Sequence, residues 1–378
     1  MKILLSSTNE SYSNGAGKCL VDIATSLEKK GENVIVTLPR HGSLENILKK
    51  KKIRYVILRE YREWIIGNQK LRGLKLRHFL NQFSIFKAIW LIKKEKIDIV
   101  HVNAITSPIA AIAAEKTKCK LVWHIREFLE DDLHSHFRNA EYAHNIINKA
   151  DCMIAISKTI KKKWSQELTA PIKVIYDGLP IDEYLVKHKI KHNGVNIILY
   201  GRISEGKGQF FFVKGIHNFL KRNPNIKLNC YLAGTVNDEN YFEKVMAYIH
   251  KYHLEENITY LGEIKNVKNM LSKMDISCVC SQREAFGRVT VESVLGGCLV
   301  VGAKSGATTE LLTDGLDGRL YEYGSVEDFS KQLGIAIKDL NVFKQNMKKS
   351  QNKMATEYSL HKNIQSIIEV YKKLTNRT

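Results

Sequence analysis

Two charged residues in the second half of this 378-residue chain have a spacing that suits anion binding. Arg202 and Lys207 are five positions apart, in a loop after a predicted strand at 196–200. Ligands bind doubly wound α/β sheets at the C-terminal ends of the strands. Two fixed cations at that place could neutralise a diphosphate without a metal ion. The alternative is a surface loop with two solvated charges.

A second group of polar residues lies at 281–292 (SQREAFGRVTVE). Glu284 is predicted in the loop after a strand, and Glu292 lies eight residues later within the following helix. The turn and helix start between them consist of Ala285, Phe286, Gly287 and Arg288. Backbone N–H groups at such a helix start favour a phosphate, and Gly287 allows close approach to the backbone. Because carboxylates accept hydrogen bonds from hydroxyls, Glu292 suits a ribose and Glu284 a sugar ring.

Two loops resemble phosphate-binding loops of nucleoside triphosphatases but depart from the motif. The loop at 201–208 (GRISEGKG) has Gly208 where a hydroxyl would bind Mg²⁺, and the loop at 12–19 ends in Cys19 instead of Ser or Thr. Neither has the GxGxxG spacing of a dinucleotide site. The chain has no Asp-x-Asp and no His/Cys/Asp cluster with metal-ligand spacing. We therefore expect neither ATPase nor dehydrogenase chemistry, and no metal or cofactor.

Strand-like apolar runs alternate with helical patterns twice along the chain. The first series of strands is predicted at 2–6, 33–38, 53–58, 97–102, 120–124, 152–156 and 172–176, and the second at 196–200, 227–233, 258–261, 276–280 and 299–302. Helices are predicted at 19–30, 210–222, 241–253, 267–273, 288–295, 308–313 and 358–374. The alternation predicts an α/β protein with two Rossmann-like, doubly wound parallel-sheet domains facing a cleft. Their predicted bounds are 1–188 and 189–357, with a linker at 184–194 and a C-terminal helix, 358–378, that packs back toward the first domain.

The net charge of +20 implies an anionic partner. Segment 49–96 has fifteen Lys and Arg against three acids, which equals the whole excess of +12 in residues 1–188. Large apolar residues, among them Trp64, Phe83 and Trp90, are interleaved with these charges. This mixture suits an anionic membrane surface; the alternative is a solvated helix face whose apolar side is ordinary core. Nucleic acid is disfavoured, because zinc-finger spacing, RNP-like aromatics and basic-region heptads are missing.

Location is predicted from the start of the chain, its apolar runs and its cysteines. The chain begins with too short an apolar run for a signal peptide, and no apolar run approaches the length of a membrane span. We expect a cytoplasmic protein, peripheral on the inner membrane face if segment 49–96 binds lipid. The seven scattered cysteines are expected to be free thiols in a reducing compartment.

By the order and spacing of its motifs, the chain resembles the retaining glycosyltransferases of family 4, which have the GT-B fold. The matching pieces, in order, are the Gly15 loop, 154–157 (IAIS), 174–178 (VIYDG), Gly201-Arg202 with Lys207-Gly208, Ala233-Gly234, Leu261-Gly262, 284–287 (EAFG), Glu292, Gly306 and Glu310. The two glutamates eight apart with Phe-Gly between them, downstream of GR…KG, are the most specific piece. Arg126-Glu127 resembles the branch that builds capsules and exopolysaccharides.

Three departures from the family pattern stand out. Asp177-Gly178 replaces the usual Asn-Gly, and Gly15-Ala16, with Gly17 beyond, replaces paired glycines. The stretch 233–235 (AGT) replaces Gly-x-Gly-Pro. These departures leave the class intact and affect the expected acceptor and base contacts.

The resemblance implies a role for each site residue. Arg202 and Lys207 would bind the donor diphosphate and Glu284 the transferred sugar. The other donor-binding residues would be Gly234, Ala285, the backbone of Phe286, Gly287 and Arg288 for phosphate or sugar, Glu292 for the ribose, and the turn with Gly262 and Ile264 for the base. His124 would face the sugar; the alternative is a strand-end histidine bonded to backbone. Gly15 and Gly17 would let a first-domain loop approach the phosphates or acceptor; the alternative is a plain turn.

The expected reaction is transfer of a hexose from a nucleotide diphosphate sugar with retention of configuration and without a metal. A UDP-sugar is the expected donor, because UDP is the most frequent donor nucleotide in the family. The expected acceptor is a glycan or lipid-linked glycan of cell-surface polysaccharide synthesis. Three alternatives stay open: a GT-B nucleotide-sugar epimerase, a non-catalytic nucleotide-sugar or lipid-binding protein, and a basic nucleic-acid binder.

Overall fold

The computed structural model describes residues 1–12, 15–67 and 72–377 and divides the chain into two compact units. Unit 1 comprises Met1–Gly178 with Leu360–Thr378, and unit 2 comprises Leu179–Ser359. Each unit has its own parallel β-sheet with helices around it. The predicted α/β class and doubly wound sheets are confirmed.

Unit 1 has a seven-stranded parallel sheet. The strands of this sheet are β1 (Lys2–Ser7), β2 (Asn33–Leu38), β3 (Arg54–Ile57), β5 (Ile99–Asn103), β6 (Lys120–Ile125), β8 (Cys152–Ala155) and β9 (Ile172–Val174). Two short strands, β4 (Ile65–Ile66) and β7 (His136–Phe137), form a separate antiparallel pair. The sheet order is β3-β2-β1-β5-β6-β8-β9, which reverses direction between β1 and β5. In β1 and β2 every residue after the first is buried, as expected for parallel strands covered on both faces.

The helices of unit 1 that precede unit 2 in the chain are α1 (Gly15–Lys29), α2 (Ser43–Lys50), α3 (Leu74–Glu95), α4 (Ile109–Thr117), α5 (Glu130–Leu133), α6 (Ala140–Ile147) and α7 (Lys158–Trp164). Helix α1 begins four residues before the predicted start, so Gly15 and Gly17 lie in its first turn and not in a loop. Ser13 and Asn14, the other predicted loop residues, lie outside the described residues. Gly17 is buried, which suits a residue without a side chain in a packed first turn.

Unit 2 has a six-stranded parallel sheet in the order β12-β11-β10-β13-β14-β15. Its elements are β10 (Val195–Tyr200), α8 (Gln209–Arg222), β11 (Leu228–Ala233), α9 (Glu239–Lys251), β12 (Ile258–Tyr260), α10 (Val267–Leu271), β13 (Ile276–Val279), α11 (Arg288–Leu295), β14 (Leu299–Ala303), α12 (Thr308–Leu311), β15 (Gly318–Tyr321) and α13 (Val326–Glu357). The core contains apolar side chains of β10, β11, β13 and β14 with those of α8, α9 and α13. Here the sheet order reverses between β10 and β13, which makes their C-terminal ends the expected ligand edge.

The last helix, α14 (Leu360–Thr375), belongs to unit 1. Its apolar face, including Ile364, Ile367 and Tyr371, joins the core formed by β1, β2 and α1. Asn363 Nδ2 also donates a hydrogen bond to the Tyr176 carbonyl at 2.6 Å. The chain therefore returns to unit 1 after Ser359.

The unit boundary lies ten residues before the predicted position 188. Residues 184–194, predicted as a linker, are bonded to unit 2: the Val186 N–H donates to the Leu295 carbonyl at 3.0 Å and the Ile190 N–H to that of Ser272 at 2.8 Å. Lys189 Nζ adds a bond of 2.6 Å to the Leu271 carbonyl. These backbone bonds explain why a polar, basic stretch is not a free linker.

Candidate active site

The two loops predicted to carry chemistry follow β10 and β13, the adjacent strands at which the sheet of unit 2 reverses. The Gln282 N–H donates to the Gly206 carbonyl at 3.0 Å, which joins the loops. A Cβ on Gly208, whose φ is +76°, would lie 2.3 Å from the Cys280 carbonyl oxygen. The backbones of Gly208 and Cys280 are therefore too close for a side chain at position 208. This contact explains why glycine stands where a nucleoside triphosphatase loop has the Ser or Thr whose hydroxyl binds Mg²⁺.

Lys207 and Glu284, 77 positions apart, form an ion pair across these loops. Lys207 Nζ donates to Glu284 Oε1 at 2.6 Å, and Ser281 Oγ donates to the same oxygen at 2.5 Å. Burial raises the pKa of Glu284, but the charge and hydrogen bond of Lys207, the Ser281 hydroxyl and the charge of Arg202 outweigh burial and lower it. Glu284 is therefore an ionised carboxylate held beside two cations. Ser281 was not among the predicted site residues.

The backbone of Glu284 is held by the loop before α12. The Ala307 N–H donates to the Glu284 carbonyl at 2.8 Å. A Cβ on Gly306, which has φ of +55°, would lie 2.3 Å from that carbonyl oxygen and 2.6 Å from the Glu284 nitrogen. Gly306, which matched the family pattern without an assigned role, thus allows the close backbone packing that positions Glu284.

Arg202 differs from Lys207 in its surroundings. Its side chain is exposed, and among the described residues no carboxylate lies within 4.0 Å of its guanidinium. The Arg202 carbonyl accepts a hydrogen bond from Gln209 Nε2 at 2.9 Å, which fixes the backbone from which the guanidinium extends. The site therefore holds one cation already paired with a carboxylate and one available to an anion.

Glu292 lies on α11 beside Arg288, a predicted site residue, and Tyr200, which was not predicted. The Tyr200 hydroxyl donates to Glu292 Oε2 at 3.3 Å, and Arg288 Nε lies 3.6 Å from Glu292 Oε1. Burial and then the charge of Glu292 raise the pKa of Tyr200 well above its usual range, so Tyr200 stays a neutral donor. The spacing of Arg288 and Glu292 by four residues on one helix was the available signal for their pairing.

Phe286 and Gly287 occupy the turn before α11. The ring of Phe286 is 2% exposed and packs edge-on against Tyr358, with centroids 5.8 Å apart, so only its backbone remains for a ligand. Gly287 has φ of +91° and precedes the first residue of α11. The neighbouring Ala285 is half-buried.

Gly234 and Gly262, both predicted to bind the donor, lie in contrasting surroundings. A Cβ on Gly234, whose φ is +141°, would lie 1.8 Å from the Gly201 carbonyl oxygen. Gly262 has φ of +70° with open space where its Cβ would be. Ile264 packs on the apolar cluster that includes Tyr200 and Ala233. Gly234 therefore has a packing role that needs no ligand, whereas the turn at Gly262 is open.

In unit 1, His124 is fully buried on β6, and the hydrogen-bond partners of its ring among the described residues are side chains. Its Nδ1 lies 3.2 Å from His101 Nε2 and 3.5 Å from a guanidinium nitrogen of Arg126. His101 Nδ1 in turn lies within hydrogen-bond distance of the Tyr371 hydroxyl on α14. His124 Nε2 is buried without a partner among the described residues.

These contacts assign the protons of both histidines. A guanidinium can only donate, so His124 Nδ1 is an acceptor, and it accepts a second hydrogen bond from the N–H at His101 Nε2. His101 Nδ1 then accepts from the Tyr371 hydroxyl. Burial and the charge of Arg126 lower the pKa of His101 to about 3 and that of His124 well below its usual range. Neutral His124 therefore carries its proton on Nε2, as a hydrogen-bond donor.

The Arg126 guanidinium is held by a buried carboxylate. Arg126 donates to both oxygens of Asp177, at 2.6 and 2.7 Å, and to Asn103 Oδ1 at 2.8 Å. Asn103 Nδ2 donates to the Ala16 carbonyl in the first turn of α1, at 3.2 Å. The aspartate that departs from the family's asparagine thus supplies the charge that a buried arginine needs.

Glu127 gives unit 1 a pH-dependent stability. Burial raises its pKa to about 7, despite hydrogen bonds from the N–H groups of Ile105 and Arg126. Folded protein then binds a proton that unfolded protein releases near pH 4.5, so this group makes stability fall as pH rises from 4.5 through 7. Glu127→Gln is expected to raise the unfolding temperature at pH 8 by about 2–4 °C and leave it nearly unchanged at pH 5. Equal shifts at both pH values in calorimetric scans would contradict this assignment.

Among the described residues, no group of three or more His, Cys, Asp or Glu side chains is arranged to hold a metal ion. The seven cysteines all lie in the described part of the chain, and no disulfide bond joins any two of them. The candidate site residues are therefore Arg202, Lys207, Glu284 and Glu292 in unit 2, and the cluster around His124 in unit 1.

Two family models match the chain. Residues 13–183 match "Glycosyltransferase Family 4" and residues 180–354 match "Glycosyl transferases group 1". An uncharacterized glycosyltransferase of Methanocaldococcus jannaschii is 24% identical, over 88% of this chain and 94% of its own. A Campylobacter jejuni α-1,4-N-acetyl-D-galactosaminyltransferase, named for an undecaprenol-diphosphate-linked glycan, is 22% identical over 88% of both chains. The solved structure of Anabaena HepE in complex with UDP has a TM-score of 0.81 at 23% identity, covering 99% of this chain and 100% of that one.

The fold of both units and the two matched models define the class: the chain is a glycosyltransferase with the GT-B fold. More particularly, it joins an N-terminal glycosyltransferase family 4 domain to a C-terminal glycosyl transferases group 1 domain.

Proposed function

We propose that this glycosyltransferase moves a hexose from a nucleotide diphosphate sugar, most simply a UDP-sugar, with retention of anomeric configuration. The acceptor is a glycan or lipid-linked glycan of cell-surface polysaccharide synthesis. The observation that carries this proposal is the Lys207–Glu284 ion pair beside the exposed Arg202, at the reversal point of the unit 2 sheet. It supplies two cations for a diphosphate and an ionised carboxylate for a sugar hydroxyl.

In this proposal Arg202 and Lys207 stabilise the charge that develops on the leaving diphosphate. Glu284, already ionised and oriented by Ser281, accepts a hydrogen bond from a sugar hydroxyl. The bond between the anomeric carbon and the phosphate oxygen breaks, and the acceptor oxygen attacks the anomeric carbon from the same face. The leaving phosphate oxygen takes the acceptor's proton. Glu292, kept in place by Tyr200 and Arg288, accepts from a ribose hydroxyl.

Two cations in the site make a metal ion unnecessary for charge neutralisation, so we propose a metal-independent enzyme. The other donor contacts proposed here are the backbone N–H groups at the start of α11 and the open turn at Gly262 for the base. In unit 1, His124 offers an Nε2–H donor to a sugar hydroxyl.

The relatives support the donor and acceptor classes. The Anabaena structure was solved with UDP, and the Campylobacter jejuni relative is named for a lipid-diphosphate-linked acceptor. We accordingly propose a cytoplasmic enzyme acting at the inner membrane face, where such acceptors carry their glycans. Membership of the branch that builds capsules and exopolysaccharides, indicated by Arg126-Glu127, stays a prediction.

The test is release of nucleoside diphosphate from a panel of UDP- and GDP-sugars, with and without EDTA and a crude lipid-linked acceptor extract. We expect release from one donor that the extract stimulates and EDTA does not change. The product's anomeric configuration, read by NMR coupling constants, tests retention. Release abolished by EDTA would overturn metal independence, and an inverted product would overturn retention.

The same assay separates the alternatives. An epimerase would release a free, altered sugar without any acceptor. A non-catalytic binding protein would bind one nucleotide sugar and release nothing even with the extract. A nucleic-acid binder would shift nucleic acid in a salt-dependent gel assay and ignore the nucleotide sugars.

A further inference from the structure

Helix α3 carries an exposed apolar stripe on its outer side. The stripe consists of Leu76, Phe79, Phe83, Phe86 and Trp90, whose side chains are 54–67% exposed. Their spacing of three and four residues places all five on one helical face, about 21 Å long at 1.5 Å per residue. The rings of Phe79 and Phe83 meet edge-on, with centroids 5.1 Å apart. Singly exposed apolar residues are common, whereas a continuous aromatic stripe marks an interaction surface.

The stripe is separate from the face with which α3 packs in unit 1. That inner face contains Ile85, Ala88, Leu91 and Ile92, all buried, and it packs on α4. Asn81 closes the inner face by donating to the Tyr61 carbonyl at 2.8 Å. The helix is therefore apolar on two opposite faces, and only the inner face packs against other elements within the described part of the chain.

Exposed lysines border the stripe on both sides. At 3.6 residues per turn, Lys75 and Lys93 fall along one edge of the stripe and Lys94 along the other. Lys87 lies on the same edge as Lys94, but its Nζ donates to the Ile57 carbonyl at 2.9 Å. Lys94 Nζ lies 4.4 Å from the Trp90 ring centroid, at the end of the stripe. The one acid of α3, Glu95, is bonded to Arg54 at 2.7 Å. The surface therefore combines bulky aromatics with uncompensated positive charge.

We propose that this face of α3, the α3 stripe, docks on an anionic lipid surface. Aromatic and leucine side chains enter the boundary between headgroups and acyl chains, while flanking lysines bind anionic headgroups. A second copy of the chain is disfavoured as the occupant, because its lysines would face these lysines with no acid on either stripe. No described helix is both long and apolar enough to cross a bilayer, so this is surface docking.

The position of Trp90 provides a direct readout. The other three tryptophans, Trp64, Trp123 and Trp164, are at most 7% exposed, whereas Trp90 is 54% exposed. Vesicles with one quarter phosphatidylglycerol in phosphatidylcholine are expected to shift the Trp90 emission to shorter wavelength, and acyl-chain-brominated lipids to quench it. Trp90→Phe is expected to keep vesicle binding and lose the fluorescence change. This test needs no nucleotide sugar, so it does not depend on the proposed transferase activity.

Vesicle flotation measures the affinity. Partitioning to the anionic vesicles is expected to exceed that to pure phosphatidylcholine by about ten-fold or more. A triple variant, Phe79→Ser, Phe83→Ser and Phe86→Ser, is expected to lower partitioning by about ten-fold or more with an unchanged unfolding temperature. Val342→Ser, at another exposed apolar position, is the matched control and is expected to bind like the unmodified protein.

Three results would overturn the proposal. One is equal, weak binding to anionic and neutral vesicles. Another is anionic-vesicle binding that the triple serine variant retains in full, which would place the contact elsewhere on the basic surface. The third is a lipid-free dimer in sedimentation velocity that the triple variant abolishes, which would make a second copy the occupant.

Discussion

Arg202→Ala is expected to lower donor turnover by about 10²–10³-fold while leaving the unfolding temperature unchanged. The guanidinium is exposed and has no carboxylate partner among the described residues, so its removal breaks no ion pair of the folded chain. In the proposed reaction it faces the leaving diphosphate, where charge develops. Arg202→Ala should lower kcat more than it raises KM, because the contact of the guanidinium with the diphosphate strengthens as the sugar–phosphate bond breaks.

The matched control is Arg222→Ala, which removes an equally exposed arginine of unit 2 at the end of α8. Both variants and the unmodified protein are compared by nucleoside-diphosphate release from the donor found in the panel. Near-normal turnover in Arg202→Ala would remove that residue from the mechanism. Equal losses in both variants would point to the overall positive charge and not to a specific site.

Gly234→Ala is expected to destabilise unit 2 by on the order of 3 kcal/mol or more. The added methyl group would lie 1.8 Å from the Gly201 carbonyl oxygen. Both backbones are held directly after their strands, because the Gly201 N–H donates to the Ala233 carbonyl at 2.9 Å and the Gly234 N–H to the Gly262 carbonyl at 2.8 Å. The φ of +141° adds strain for any residue with a side chain. Because Gly201 leads directly into Arg202, the variants that still fold are expected to lose activity as well.

Gly262→Ala provides the contrast. Gly262 also has positive φ, but its added methyl group would meet no atom within 4 Å, so the expected cost is about 1 kcal/mol. Urea unfolding of the two variants measures the difference. If Gly262→Ala binds donor poorly while it stays folded, the base-binding role of that turn is supported. Equal stability losses in the two variants would contradict the packing role given to Gly234.

Much of the fold could be predicted because parallel strands covered on both faces form continuous apolar runs, as in β1, β2 and β10. Helix α13 and strand β15 were not predicted. Val326–Glu357 is rich in Lys, Asn and Gln, which masks the apolar positions that pack within unit 2. Gly318–Tyr321 has only four residues, with a glycine at its start. The boundary at Gly178 was missed because residues 184–194 are held in unit 2 by the backbone N–H groups of Val186 and Ile190 and by the ammonium of Lys189, and a polar, basic sequence does not show such bonds.

The site was partly predictable for the same physical reasons. The positions of Arg202, Lys207 and Glu284 follow from loops at strand ends, but their ion pair spans 77 residues and its geometry needs the fold. The cluster around His124 also depends on the fold: His124 contacts His101, 23 positions earlier, and His101 in turn contacts Tyr371 of α14, 270 positions later. Contacts between residues so far apart in sequence cannot be predicted from local spacing. The ring of Phe286 is buried in the core, so the predicted role of this residue rests on its backbone alone.

The central claim is that two side-chain cations of unit 2 bind the diphosphate of a nucleotide sugar. Its most direct test is calorimetric titration of UDP, GDP and ADP, each against its monophosphate, in EDTA with unmodified protein and Arg202→Ala. We predict that one diphosphate binds at least about ten-fold more tightly than its monophosphate, and that Arg202→Ala removes most of this difference. Equal affinity for diphosphate and monophosphate, or binding lost in EDTA, would contradict the claim.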